Sequence, residues 1–243
     1  MAVQKNPIAP SLEERSVINA IMRQPSMVDY PGHLGVLMFT SGCNFRCGFC
    51  HNPDLIGAAD AKTFTFATLK QRLDKYREEW VKAVTVTGGE PTIHAALPQT
   101  IHFLKEEGFL VKLDTNGANP EMLEKLLPEL DYVAMDIKCA LDHYPTFVKY
   151  SQLDRIRASI KLIMDKAKDY EFRTTVLEGI HTPEEIAAAA KDVQGAKRWL
   201  FQPFVPHENL PDIALRSAPR TKPSILEECA KAAAPYVQLA KAR

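Results

Sequence analysis

The order of short apolar runs and amphipathic stretches predicts an α/β protein. It is an incomplete (β/α)6 TIM-type barrel with parallel strands, a short N-terminal helical extension and a C-terminal helix. Three observations carry this reading. Strands and helices alternate at spacings that suit βαβ crossovers, which makes the sheet parallel. The unusual polar residues recur at the carboxyl ends of the strands, the edge where parallel α/β folds place their sites. Six units are too few for a closed eight-stranded barrel. No G-x-G-x-x-G follows a strand, which speaks against a doubly wound sheet.

Taken in order, Ser11 and Glu14 form a capping box that opens a short helix to about Arg23. Asp29-Tyr30-Pro31-Gly32 is a turn, and 34–40 is a buried strand that delivers a cysteine loop. Leu69, Leu73, Tyr76 and Trp80 fall at helical spacing over 66–80. A second strand, 83–87, ends at Gly88-Gly89-Glu90-Pro91, and the helix after it carries Leu97, Ile101 and Leu104 and stops at Gly108. The third strand, 109–113, ends at Asp114-Thr115-Asn116-Gly117, after which Asn119-Pro120 starts a short helix. The fourth, 132–137, closes on Asp136-Ile137-Lys138, and the helix over 153–168 turns Ile156, Ile160 and Ile163 inward. The fifth strand, 171–177, contains Arg173; Thr182-Pro183-Glu184-Glu185 caps the next helix. A sixth strand at 198–202 and a last helix over 225–240 complete the chain.

The 243 residues, 46% hydrophobic and 25% charged, suit a globular chain with a sizeable core. We read them as one domain: an extension over 1–30, a barrel core over 31–205 and a C-terminal segment over 206–243. Thirty basic residues offset thirty acidic ones without a block of like charge, so no nucleic-acid partner is expected. The first fifteen residues are polar, and no apolar run approaches the roughly 18 residues that span a bilayer, so neither a secretory signal nor a membrane span is expected. The expected location is the cytoplasm, where clustered cysteines are more often metal-binding or catalytic than disulfide-forming.

Three of the five cysteines, Cys43, Cys47 and Cys50, lie in a C-x3-C-x2-C loop. Cys47 to His51 matches the haem-attachment pattern, which needs an export context. A Cys3His zinc site using His51 is chemically sound but leaves the other strand-end motifs unexplained. A redox C-x-x-C makes Cys43 superfluous. An iron–sulfur cluster with three protein ligands and one exchangeable iron uses all three thiolates. Cys139 and Cys229 have no partner cysteines nearby in sequence and read as small buried apolar residues.

With Phe49 before its third cysteine, the loop resembles the signature of the radical S-adenosylmethionine (SAM) enzymes. Cys-His-Asn (50–52), Gly-Gly-Glu-Pro (88–91), Asp-Thr-Asn-Gly (114–117) and Asp-Ile-Lys (136–138) together look like the glycyl-radical-enzyme activases. The stretch from Ser26 to Cys47 is most similar to the longer activating proteins of anaerobic ribonucleoside-triphosphate reductase. The likeness covers about 24–207.

The resemblance implies that Cys43, Cys47 and Cys50 hold a [4Fe–4S] cluster whose fourth iron takes SAM, yielding a 5′-deoxyadenosyl radical. It further implies a glycyl radical enzyme as protein substrate and flavodoxin or ferredoxin as electron donor. Gly88 and Gly89 would let backbone approach SAM, with Phe49, Glu90, Asn116, Asp136, Lys138, Arg173 and His207 as further cofactor-binding residues. Asp114, Thr115 and Asp136, with the Ala134 carbonyl, would form a monovalent-cation site of hard oxygens. His51 and Asn52 order the loop. A pyruvate formate-lyase-type activase, a small-molecule radical SAM enzyme of the carboxydeazaguanine synthase kind and a zinc interaction module stay open as alternatives.

Overall fold

The computed structural model describes residues 14–57 and 61–243. Among these described residues the sheet has nine strands. Seven of them run parallel and lie side by side in chain order: β3 (His33–Thr40), β4 (Ala83–Gly88), β5 (Leu110–Thr115), β6 (Tyr132–Asp136), β7 (Tyr170–Val176), β8 (Trp199–Pro203) and β9 (Ala240–Ala242). The outer edge of β3 carries two antiparallel strands, β1 (Ala20–Ile21) and β2 (Ser26–Tyr30). Among the described residues β9 pairs only with β8, so the sheet curls without closing.

Helices α1 (Phe66–Glu78), α2 (Leu97–Glu106), α3 (Pro120–Leu126), α5 (Leu153–Lys166), α6 (Pro183–Ala190) and α8 (Pro223–Ala233) return the chain between strands. Two short helices, α4 (Tyr144–Phe147) and α7 (Ile213–Arg216), lie in the long loops. Local chemistry sets several starts: Thr65, Asn119 and Thr182 accept backbone N–H groups of the first turns they cap. On α5 the buried Ile156, Ile160 and Ile163 share one face, each contributing about 1.5–3 kcal/mol by burial.

The period-two alternation of the strands separates two environments. Val111, Leu113, Val133 and Met135 join the main core beneath the helices, while Tyr132 and Ala134 form a smaller inner cluster with Tyr30 and Ala83. Lys112, Asp114, Asp136 and Arg173 have the parity of that inner face. No helix among the described residues is long and apolar enough to cross a membrane.

Two local expectations are corrected and a third is placed in the fold. Ser11 lies outside the described residues, and from Arg15 onward the chain is extended, not helical. Asn19 N–H and Met22 N–H bond to Phe39 and Leu37 carbonyls along β3. Asp29-Tyr30-Pro31-Gly32 does turn, as the tip of the β2–β3 hairpin, with Pro31 and Gly32 exposed and Tyr30 buried against the inner face of the sheet. There the Asp29 carbonyl accepts from Thr85 Oγ1 at 3.1 Å and from Lys112 Nζ at 2.9 Å. Finally, the last helix stops at Ala233 because Pro235 lacks an N–H and clashes with the preceding turn. The residues beyond it form β9, a seventh parallel strand.

Candidate active site

The polar strand ends meet at one cavity of about 250 Å³, lined by Cys43, Cys47, Cys50, Phe49, Gly88, Gly89, Glu90, Asp114, Thr115, Asn116, Asp136, Lys138 and Arg173. The cysteine loop is held from both sides. Phe49 stacks on Phe147 with ring centroids 4.9 Å apart, and Phe45 meets Tyr150 at 4.7 Å. From the C-terminal segment, Asp212 N–H donates to the Gly48 carbonyl at 3.0 Å.

The loop fits a cluster with three thiolate ligands. All three cysteines are free and partly exposed to the cavity. Phe45 N–H points at Cys43 Sγ at 3.4 Å, the kind of bond that stabilises a ligating thiolate. Burial raises the Cys43 thiol and pushes Cys47 up to about 12, while Lys138 pulls both the other way. Among the described residues no three Cys, His, Asp or Glu side chains converge on a point that one metal ion would occupy. Thiols set around a cavity suit a multi-atom cluster, whose ligands stand farther apart.

At the next corner Gly88 and Gly89 line the cavity and also admit a neighbouring backbone. A Cβ on Gly88, whose φ is +125°, would lie 2.2 Å from the Thr40 carbonyl oxygen, and one on Gly89 would lie 1.9 Å from that of Gly42. The space is taken by the backbone leading into the cysteine loop. Gly89 N–H and Glu90 N–H then donate to Thr40 and Gly42 carbonyls at 2.9 and 2.8 Å.

Glu90, 1% exposed, is bound by neutral donors. Its Oε1 accepts from Thr92 N–H (3.1 Å), Thr92 Oγ1 (2.5 Å) and Thr115 Oγ1 (2.8 Å), and its Oε2 from Asn116 N–H (2.6 Å). Burial outweighs these four bonds and raises its carboxyl above the usual range. Asn116 Nδ2 donates to Asn44 Oδ1 at 2.7 Å, so this corner ties β4 and β5 to the loop. Sequence reasoning missed Thr92 and Asn44.

Across β5, β6 and β7 runs a ladder of alternating charge. Asp114 Oδ1 meets Lys112 Nζ at 2.7 Å and its Oδ2 meets Arg173 Nη1 at 3.2 Å. Asp136 Oδ1 meets Arg173 Nε at 3.1 Å and its Oδ2 meets Lys138 Nζ at 2.9 Å. Burial alone would raise the Asp136 carboxyl, but Lys138 and Arg173 hold it down at about 2. Asp114 and Asp136, with Thr115, are the residues of the expected monovalent-cation site. All four carboxylate oxygens already face protein cations, and the Thr115 hydroxyl is turned to Glu90.

His207 does not line this cavity. It faces His51, ring centroids 5.6 Å apart, in an adjoining cavity of about 390 Å³ that also takes in Asn52. Two residues without a sequence signal of their own, Thr175 and Gln202, complete the main cavity wall. A third missed residue is His181. A backbone N–H can only donate, so the bond from Leu177 N–H (2.9 Å) makes Nδ1 the acceptor and leaves the proton on Nε2, 2.7 Å from the Lys138 carbonyl. With Tyr144 OH accepting from Lys138 N–H at 3.0 Å, both backbone groups of Lys138 are fixed.

A model of the Radical SAM superfamily matches residues 37–214. A Methanocaldococcus jannaschii protein named "Putative glycyl-radical enzyme activating enzyme" is 33% identical over 220 residues, covering 87% of this chain and 90% of its own. The 7-carboxy-7-deazaguanine synthase of Aquifex aeolicus is 28% identical over 165 residues, 67% of each chain. Among solved structures, TYW1 with a lysine–pyruvate adduct bound superposes with a TM-score of 0.58 at 16% identity, covering 84% of this chain and 75% of that one, and shares its fold.

Proposed function

The chain belongs to the radical SAM superfamily, and on that premise we propose that it generates a glycyl radical on a large partner enzyme, with anaerobic ribonucleoside-triphosphate reductase as the favoured partner. It is a radical SAM enzyme with a [4Fe–4S] cluster and SAM as cofactors. The observation that carries the proposal is the meeting of the cysteine loop, the Gly88–Glu90 corner and the Asp136–Lys138–Arg173 ladder at one cavity.

When bound, the cluster and SAM supply reductive carbon–sulfur cleavage and a primary carbon radical able to remove a hydrogen atom. In our reading Cys43, Cys47 and Cys50 hold the cluster as thiolates. Arg173 uses Nε and one Nη1 N–H on the two aspartates, so a planar guanidinium with five donors keeps N–H groups for a ligand carboxylate. Lys138, with Asp136 as its hydrogen-bond partner, likewise has donors to offer. The Gly88–Glu90 corner holds the loop in register with β4, and the stacked Phe49 shields the cavity wall. The substrate glycine would enter from the rim, and the electron from a small donor such as flavodoxin or ferredoxin.

Anaerobic reconstitution tests the proposal. With reductant and SAM the protein should release 5′-deoxyadenosine, and with the reductase present an electron-spin doublet of a glycyl radical should appear; Cys47→Ala should lose both. The similarity to the Aquifex synthase favours a second reading, a small-molecule substrate. SAM cleavage with no radical on any glycyl radical enzyme would select it, and no cleavage at all would end both readings.

A further inference from the structure

The charge ladder contains a residue that no motif requires. Lys112 lies on β5 two residues before Asp114 and is only 2% exposed. A lysine is seldom buried so completely without a partner, because desolvation of its ammonium must be offset locally. Here Nζ donates to Asp114 Oδ1 at 2.7 Å and to the Asp29 carbonyl at 2.9 Å. Asp29 belongs to β2 and Asp114 to β5, so the ammonium is tethered from two directions. Burial pulls Lys112 down from the ordinary lysine range, and the neighbouring carboxylates of Asp114 and Glu171 oppose it.

Three cations, Lys112, Arg173 and Lys138, thus share the two carboxylates Asp114 and Asp136, and the buried Glu171 carboxylate acts on Lys112 and Arg173 from the same face. An additional alkali cation would have to displace an N–H donor from a carboxylate oxygen. An incoming carboxylate instead meets donors that are still free. Arg173 and Lys138 line the main cavity with N–H donors left over, whereas Lys112 lies in a second cavity shared with Asp29, Asp114 and Arg173. Lys112 therefore gives Asp114 a cation of its own, independent of what Arg173 and Lys138 offer a ligand.

We infer that Lys112 is a built-in counter-ion of the SAM site: its ammonium takes on Asp114 the place of a dissociable monovalent cation, so that SAM binds here without one. The inference rests on the reading that SAM occupies the main cavity. Lys112 acts through Asp114 and Arg173 and is a positioning residue.

The test is SAM affinity of the reconstituted enzyme by equilibrium dialysis, at constant ionic strength in potassium, sodium or tetramethylammonium chloride. The wild type should bind equally in all three. A loss of about fivefold or more in tetramethylammonium, the scale of a real coupling between sites, overturns the inference without touching the proposed function. Absence of SAM binding in every salt would instead remove the function on which it rests. Lys112→Met, with thermal unfolding as the fold control, should bind SAM roughly ten- to a hundredfold more weakly in tetramethylammonium and recover in potassium or ammonium. Wild-type affinity of the variant in every salt overturns the inference, as does a weakening that no small cation relieves. If the variant does not fold, the wild-type salt series decides alone.

Discussion

Two carboxylates at the ends of strands on either side of β5 are held by opposite means. Glu90, after β4, receives four bonds from neutral donors and none from a cation, and its carboxyl is raised. Asp136, ending β6, is gripped by Lys138 and Arg173 and is held at about 2. The first is a strut: its Oε1 is filled, and its partners position the cysteine loop. The second is part of a charge array whose cations retain donors for a ligand. A shared position on the rim therefore does not mean a shared role. Damage to the corner should read out as stability and iron content, and damage to the ladder as SAM affinity.

The sharpest way to break that contrast is Gly89→Ala. The new Cβ would meet the Gly42 carbonyl, oxygen at 1.9 Å and carbon at 2.7 Å, and that backbone cannot retreat without moving Cys43. Forcing this overlap should destabilise the protein by about 3 kcal/mol or more, read by chemical denaturation, and lower iron and sulfide per chain. Gly57→Ala, where a Cβ meets no atom of the described residues within 4 Å, is the control and should stay within about 0.5 kcal/mol. Full iron content in a stable Gly89→Ala protein would mean the corner does not hold the loop.

A paired comparison sharpens it further. Arg173→Met should weaken SAM binding by roughly ten- to a hundredfold, as expected for lost bonds to a charged group. Glu90→Gln turns one carboxylate oxygen into an N–H₂ that must face a backbone N–H, of Thr92 on one side or of Asn116 on the other. It should cost about 1–3 kcal/mol of stability while leaving the SAM affinity of the folded fraction within about twofold. Titration calorimetry beside denaturant unfolding separates the two, and equal effects on both readouts would erase the distinction.

The ladder and the corner differ also in how far they could be read from sequence. The cysteine loop, Gly-Gly-Glu, Asp-Thr-Asn and Asp-Ile-Lys are contiguous, and each follows an apolar run, so period and position sufficed to place them on one rim. Their connections are long-range: Glu90 reaches Thr115 and Asn116, and Asn116 reaches Asn44, through the register of β3, β4 and β5. Lys112 could have been noticed by the reasoning that singled out Arg173, a charge on an apolar strand, yet its partner Asp29 lies in a hairpin tip that reads as an ordinary turn. β9 was hidden because Ala-Lys-Ala has no strand pattern and forms only beside β8, although Pro235 already forbids a helix running to residue 240.

Acid unfolding gives the smallest expected effect and tests the electrostatic half of the contrast. The Asp136 carboxyl is depressed from 3.8 to about 2 in the folded protein. Its contribution is therefore complete above the unfolded value and is lost as pH falls through the folded one. For Glu90 the sign reverses: its folded value lies above 4.5, so its charged form costs stability above that value and protonation restores it on the way down. Stability should change little, or rise, as pH falls toward about 4.5, and decline between about 4 and 2 as the ladder protonates. Asp136→Asn should remove about 1–2 kcal/mol of that decline, discounted because the side chain is 26% exposed. Glu90→Gln should leave the decline intact and flatten only the higher-pH part. The buried Trp199 provides the fluorescence signal against the exposed Trp80. An Asp136→Asn protein with an unchanged acid limb would show that the ladder's charges are matched by solvent rather than by one another.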